Sequence, residues 1–251
     1  MAEAKTPPHP LTGIGFIDIE TVSGEGIAFD LKPTLQDSYI KRFKKDADNM
    51  NIDCNEHYQL KAALFAEHGK IVCISIGYWN KEGKFKMKSF AGRHEKELLE
   101  AAAPVLEKFY TLAGHNILEF DLPFLFRRYL INGLPVPSPL VVYGKKTWEI
   151  PHIDTMKIWS HAAWNYKVSL DLLAHVFGLP SPKETMSGAD VGKMYWSMFD
   201  GVTNDELPFE KEQEVIQTIS RYCEGDVLTS ANVYCKMKGI PIITPEQIEH
   251  A

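Results

Sequence analysis

The chain has 251 residues and is 45% hydrophobic, 24% charged and −6 in formal net charge. That composition suits one large globular domain with a sizeable core and excludes a disordered or collagenous chain. No apolar run is long enough to cross a bilayer, and the acidic balance argues against a protein that coats duplex DNA by electrostatics alone.

Residues 1–12, with the opening MAEAKTPPHP, lack the basic and apolar segments of a secretory signal and read as a flexible leader. The four cysteines, Cys54, Cys73, Cys223 and Cys235, form no C-x-x-C pair. Reduced thiols and a cytoplasmic location are the expectation.

The first strand candidate is 13–20, centred on Phe16-Ile-Asp-Ile-Glu-Thr21. Strand side chains alternate faces, so Ile17 and Ile19 bury one face while Asp18 and Glu20 share the other. Two like charges that close need a cation or a salt partner unless water solvates them. Residues 22–70 follow without a strand-like run and read as an insertion, in which Lys41-Arg-Phe-Lys-Lys45 suggests a solvated helix face.

Ile71–Trp79 is β-branched and apolar, Asn80–Gly83 is a turn, and Lys84–Phe90 alternates as a hairpin partner. Over 94–110 the period becomes helical, with Leu98, Leu99, Ala102, Leu106 and Phe109 on one stripe and Pro104 expected to kink or split it. A short apolar piece at 111–114 leads to His115-Asn-Ile-Leu-Glu-Phe-Asp121. A helix over 121–131, with Pro123 in its first turn and Asn132-Gly133 closing it, comes next. At such a helix start Asp121 reads first as an N-cap.

Residues 134–150 are Pro-rich and irregular. A strand over 150–155 ends on Asp154, itself a candidate cap for a following helix. Helices are expected at 169–177, around 190–200 and over 209–237, with a Pro/Ser/Gly loop at 180–192. In the last helix Tyr222 and Asp226 lie four residues apart and so project together, and Asp226 interrupts an apolar stripe. Trp148, Trp159 and Trp164 offer stacking surfaces, though burial in the core is the expectation for most of them. Lys145, Lys146, Lys167 and Lys183 offer charge along a possible strand path. The element order is that of an α/β domain on a mixed sheet.

Together, acids from two strand positions, one helix start and one late helix match a two-metal site for phosphodiester hydrolysis. Oxygen donors suit Mg²⁺ or Mn²⁺ better than zinc. The strings FIDIET, GHNILEFDLPFL and YCEGDV resemble the three motifs of DEDD-type 3′–5′ exonucleases, nearest to the proofreading domain of family-B DNA polymerases. The motifs occur in the family's order and span about residues 14–230.

The resemblance implies a ribonuclease-H-like fold, with a mixed five-stranded sheet flanked by helices, in a single domain over 13–240 followed by a tail at 241–251. It implies Asp18, Glu20, Asp121 and Asp226 as ligands of two Mg²⁺ or Mn²⁺ ions, and Tyr222 as the residue that orients water. Arg221 stands where a histidine-type member would carry its His, which makes this the tyrosine type. Thr21, Asn116 and Phe120 fall on positions that contact the terminal nucleotide in relatives, with a helix-capping Asn116 and a core Phe120 as the alternatives. At this length the chain has no room for a polymerase domain, so the resemblance implies a free-standing relative of the proofreading module. The implied activity is 3′–5′ hydrolysis of single-stranded DNA to nucleoside 5′-monophosphates. The alternatives are an exoribonuclease on the same fold, since no motif reports the 2′-hydroxyl, and an inactive nucleic-acid-binding module.

Overall fold

The computed structural model describes residues 9–180, 186, 188–199 and 207–250. Lys183 and much of the 180–192 loop lie outside them. One mixed sheet runs through the molecule in the order β5-β4-β1-β2-β3-β6. Its strands are β1 Ile14–Ser23, β2 Gly69–Trp79, β3 Phe85–Ala91, β4 Thr111–Gly114, β5 Ile153–Asp154 and β6 Ile248–His250.

Alternation in β1 sorts its side chains between two cores. Ile17 and Ile19 join Ile71, Ile74 and Ile76 of β2 on one face. There α3 (Glu95–Leu106) supplies Leu98, Leu99 and Ala102, and α4 (Asp121–Ile131) supplies Leu122, Leu125 and Tyr129. On the other face, Phe16 packs on Val227, Ala231 and Tyr234, and Val22 on Ile219, Tyr222 and Cys223. Those partners all belong to α8 (Phe209–Lys238), a 30-residue helix. Asp18 and Glu20 therefore face α8, which is how a strand acid and a late-helix acid come to share one space.

The sheet has six strands where five were expected. The sixth is only three residues long, too short for a period-2 signal. Lys86 fastens it to β3 by an ion pair to Glu249 at 2.5 Å, and Lys84 Nζ donates to the Glu246 carbonyl at 3.0 Å.

Residues 22–70 contain two helices that the sequence pattern did not reveal, α1 (Pro33–Met50) and α2 (Cys54–Lys61). They bury a small core of their own around Tyr39, Phe43, Tyr58 and Ala62. Four residues of the cluster 41–45, all but Phe43, are exposed, as a solvated helix face requires. Pro104 does not split α3, because it lies in the last turn, two residues before the helix ends. A short α5 (Thr155–Ser160), then α6 (Leu170–Val176) and α7 (Gly188–Ser197), complete the helices. No helix among the described residues is long and apolar enough to cross a membrane, and all four cysteines are free thiols.

Candidate active site

The site begins where β4 stops. β4 pairs with β1 only as far as Phe16–Ala113, so β1 runs on without a neighbour on that side. The Ile19 N–H in this unpaired stretch donates to Asp121 Oδ1 at 3.1 Å. Asp121 is thus not an N-cap. It is the first residue of α4, following Phe120, and its buried carboxylate reaches across to the strand that carries Asp18 and Glu20. The turn into the second motif is tight. A Cβ on Gly114 would fall 2.6 Å from the Ile17 carbonyl oxygen, so only glycine fits there.

Asp154 holds the second-motif loop in place. It caps α5 through the Met156 and Lys157 N–H groups, as expected from sequence. It also accepts from the N–H of Asn116 at 3.0 Å and of Leu118 at 3.1 Å. His115 is held too, by Thr155 Oγ1 at 2.9 Å through Nδ1 and by the Val168 carbonyl at 2.8 Å through Nε2.

From the opposite side, α8 brings in three residues from a single turn, Tyr222, Cys223 and Asp226. Cys223 Sγ donates to the Asp18 carbonyl at 3.3 Å and to Asp18 Oδ2 at 3.4 Å. Tyr222 and Asp226 sit one turn apart, both largely buried, and the phenol is hydrogen-bonded to Asp226. Ligand atoms of Asp18, Glu20 and Cys223 all lie within 4.8 Å of one another. Asp18 and Asp226 open together onto a cleft of about 430 Å³, whose walls include His115, Asn116, Lys167 and Ser169.

The electrostatics of the cluster follow from burial and like charge. Burial first, then the neighbouring charges of Asp121, Glu20 and Asp226, push the Asp18 carboxyl well above the usual carboxylate range. Burial pushes Asp121 up to about 7, with Asp154 and Asp226 adding to it and the backbone N–H bonds opposing it. The Tyr222 phenol is raised by burial and then by Asp226, Glu20 and Asp18. A buried space crowded with acids disfavours its own ionisation, and a divalent cation removes that penalty. The oxygen donors present fit Mg²⁺ or Mn²⁺.

The structure therefore gathers Asp18, Glu20, Asp121, Tyr222 and Asp226 into one place. Asn116 lines the same cleft in a left-handed conformation (φ 62°), and its buried Oδ1 has no hydrogen-bond partner among the described residues. Phe120 is partly buried against the main core, with its ring 5.5 Å from that of Phe124. Thr21 alternates to the other face of β1, and its hydroxyl donates to the Ala63 carbonyl at 2.8 Å. Cys223, Asp154 and Ser169 were not singled out as site residues, whereas Lys167, named for a possible strand path, lines the cleft. For Cys223 the available signal was its position beside Tyr222 on the helix that carries Asp226. The tryptophans depart from expectation: Trp148 and Trp164 are exposed, and Trp159 is only partly covered, by Phe177.

The fold is similar to that of the family B DNA polymerase from the hyperthermophilic archaeon Pyrobaculum calidifontis, with a TM-score of 0.51 at 15% sequence identity. The likeness covers 92% of this chain and 25% of that one, so the chain spans about a quarter of the polymerase's length. No curated protein matches the chain in sequence. The sequence pattern of one family matches residues 64–242, a stretch that holds Asp121, Tyr222 and Asp226 and begins after the strand bearing Asp18 and Glu20. The chain belongs to that family, the predicted 3′–5′ exonucleases related to the exonuclease domain of PolB.

Proposed function

We propose that the chain hydrolyses single-stranded DNA from its 3′ end, releasing nucleoside 5′-monophosphates, with two Mg²⁺ or Mn²⁺ ions held by Asp18, Glu20, Asp121 and Asp226. The observation that carries this reading is the convergence of those four carboxylates with Tyr222 beside an open cleft. When bound, the ions supply the charge neutralisation and water activation that in-line displacement at a phosphodiester requires.

The residues of the chain account for the rest. Tyr222, its pKa raised, keeps its proton near neutral pH, so its hydroxyl can hold and orient a water beside Asp226. Asn116 Oδ1, buried without a partner, accepts a hydrogen bond from a hydroxyl of the terminal sugar. Asp154 keeps Asn116 in place through its backbone N–H. Lys167, on the cleft wall, supplies positive charge for a phosphate of the incoming strand.

The test is incubation of the purified chain with 5′-labelled single-stranded DNA and the same sequence as RNA, in Mg²⁺ or Mn²⁺. A ladder shortening from the 3′ end of the DNA, faster than that of the RNA, is expected. Faster RNA cleavage would move the assignment to an exoribonuclease, and no shortening of either strand would refute it.

A further inference from the structure

The active cleft has a rim that the four-carboxylate site does not use. Residues 161–167, His-Ala-Ala-Trp-Asn-Tyr-Lys, join α5 to the strand of chain that lines the cleft through Lys167, Val168 and Ser169. Trp164 is 92% exposed and Tyr166 52%. An indole left almost wholly in water forgoes a large burial gain. It gains nothing from the rest of the fold.

The backbone of this loop is unusual as well. His161, Ala162 and Asn165 all have positive φ, at 43°, 67° and 53°. His161 caps α5, where a left-handed residue is ordinary. Ala162 and Asn165 terminate no helix. Left-handed conformations in non-glycine residues carry a cost of about 1 kcal/mol or more each, and they persist only where the surroundings hold them. Here the ends of the loop are held. The Ala163 N–H donates to the Ser160 carbonyl at 2.8 Å, the Val168 carbonyl is bonded to His115, and Ser169 caps α6 through the Leu172 N–H. The turn presents two rings to solvent within three residues of Lys167, which lines the cleft.

Two lysines flank the loop: Lys157 and Lys167 both pair with the carboxylate of Glu119, and Lys167 also lines the cleft. Exposed aromatic rings interleaved with lysine, at the edge of a groove, are what a single strand requires. The rings stack on bases without regard to sequence, and the cations meet the phosphates.

We infer that the 161–167 loop is a base-stacking subsite. On this inference Trp164, assisted by Tyr166, holds a base one to three nucleotides upstream of the 3′ terminus while the terminal nucleotide occupies the carboxylate cleft. The inference rests on the reading that a single-stranded 3′ end enters that cleft. It adds a determinant of substrate length: a strand too short to reach Trp164 binds poorly.

The experiment is equilibrium binding of a 5′-fluorescein oligothymidylate of eight nucleotides, followed by anisotropy in Ca²⁺, alongside cleavage of the same strand in Mg²⁺. A second series carries an abasic sugar at each position counted from the 3′ end. Trp164 is nearly fully exposed, so Trp164→Ala does not threaten folding, and Trp164→Phe keeps a smaller ring. Trp164→Ala is expected to weaken binding about tenfold, the order of one base–aromatic stack. Trp164→Phe should recover much of it. An abasic sugar at one upstream position should weaken the wild type by a similar factor and have no further effect in Trp164→Ala.

Binding within twofold of wild type for Trp164→Ala would overturn the subsite. So would abasic and Trp164→Ala losses that simply add. If the strand is bound with this dependence but not cut, the subsite stands and the exonuclease reading fails. If it is cut and Trp164→Ala binds as the wild type does, the exonuclease reading stands and the subsite fails. A wild type that neither binds nor cuts the strand overturns both.

Discussion

Two of the places where carboxylates are buried beside the sheet are treated in opposite ways. Glu95, at the start of α3, is fully partnered: it accepts from the Ile71 N–H, from Arg128 through two nitrogens, and from the Asn132 amide. Arg128 spends a further donor on the Ala66 carbonyl at 2.7 Å. On the α8 side, Asp18 has three other acids as its charged neighbours, and its carboxyl is driven up accordingly. The first cluster is finished by the chain itself and acts as a structural tie between α3, α4 and β2. The second gathers like charges, and on the proposed function it is where a divalent cation is added. Buried charge of the first kind belongs to stability, and of the second kind to function.

Removing one acid from the second cluster separates the two roles most sharply. Asp18→Ala is expected to lower nuclease activity by about 1,000-fold or more, since on the proposed function it deletes a ligand of the ions. Calorimetry in EDTA should meanwhile show a melting temperature equal to or above that of the wild type, because repulsion is relieved. A large fall in that temperature would place Asp18 with Glu95 as a structural acid.

The mirror experiment is Arg128→Ala, which leaves Glu95 buried without its cation. Breaking such a pair costs about 3–5 kcal/mol, a fall in melting temperature on the order of 10 °C for a chain of this size. The fraction that remains folded should still cut DNA. Next in size, Tyr222→Phe removes only the hydroxyl and should slow cleavage roughly 10- to 100-fold, the lower part of the general-acid–base range, with metal binding retained by titration.

The smallest effect is one of pH. Asp121 holds its proton to about 7 in the fold, against an ordinary value of 3.8. Between those values the folded chain binds more protons than the unfolded chain, so this group's contribution to stability is present at low pH and lost as pH rises towards 7. In EDTA the melting temperature should therefore be lower at pH 8 than at pH 5.5. Asp121→Asn, which keeps a carbonyl to accept from Ile19, should shrink that difference, and Mg²⁺ should shrink it in the wild type. An equal drop in the variant would assign the effect to other groups.

These same residues mark how far the sequence could be read. The long helix over 209–238 and the hairpin of β2 and β3 were legible because their hydrophobic periods are long and regular. Asp18 and Glu20 on one face followed from alternation alone, and Tyr222 with Asp226 from helical spacing. Asp121 was legible as a site acid only through the motif around it. Its bond to Ile19 depends on β4 ending two residues past Leu112 while β1 continues, and no local pattern encodes where a neighbouring strand stops. The helices within 22–70 were missed because their buried residues, Tyr39, Phe43 and Ala47, are sparse and set among charges. Burial was expected for most of Trp148, Trp159 and Trp164, yet Trp164 is exposed on a turn whose neighbours Ala162 and Asn165 are left-handed.

On the proposed function the α8-side cluster is a divalent-cation site. A crystal soaked with Mn²⁺ and a nucleoside 5′-monophosphate, recorded for anomalous scattering, tests it most directly. The account predicts two peaks among the carboxylates of Asp18, Glu20, Asp121 and Asp226, with the nucleotide sugar beside Asn116. Density for the nucleotide with no peak at these carboxylates, or Mn²⁺ bound only elsewhere, would contradict it.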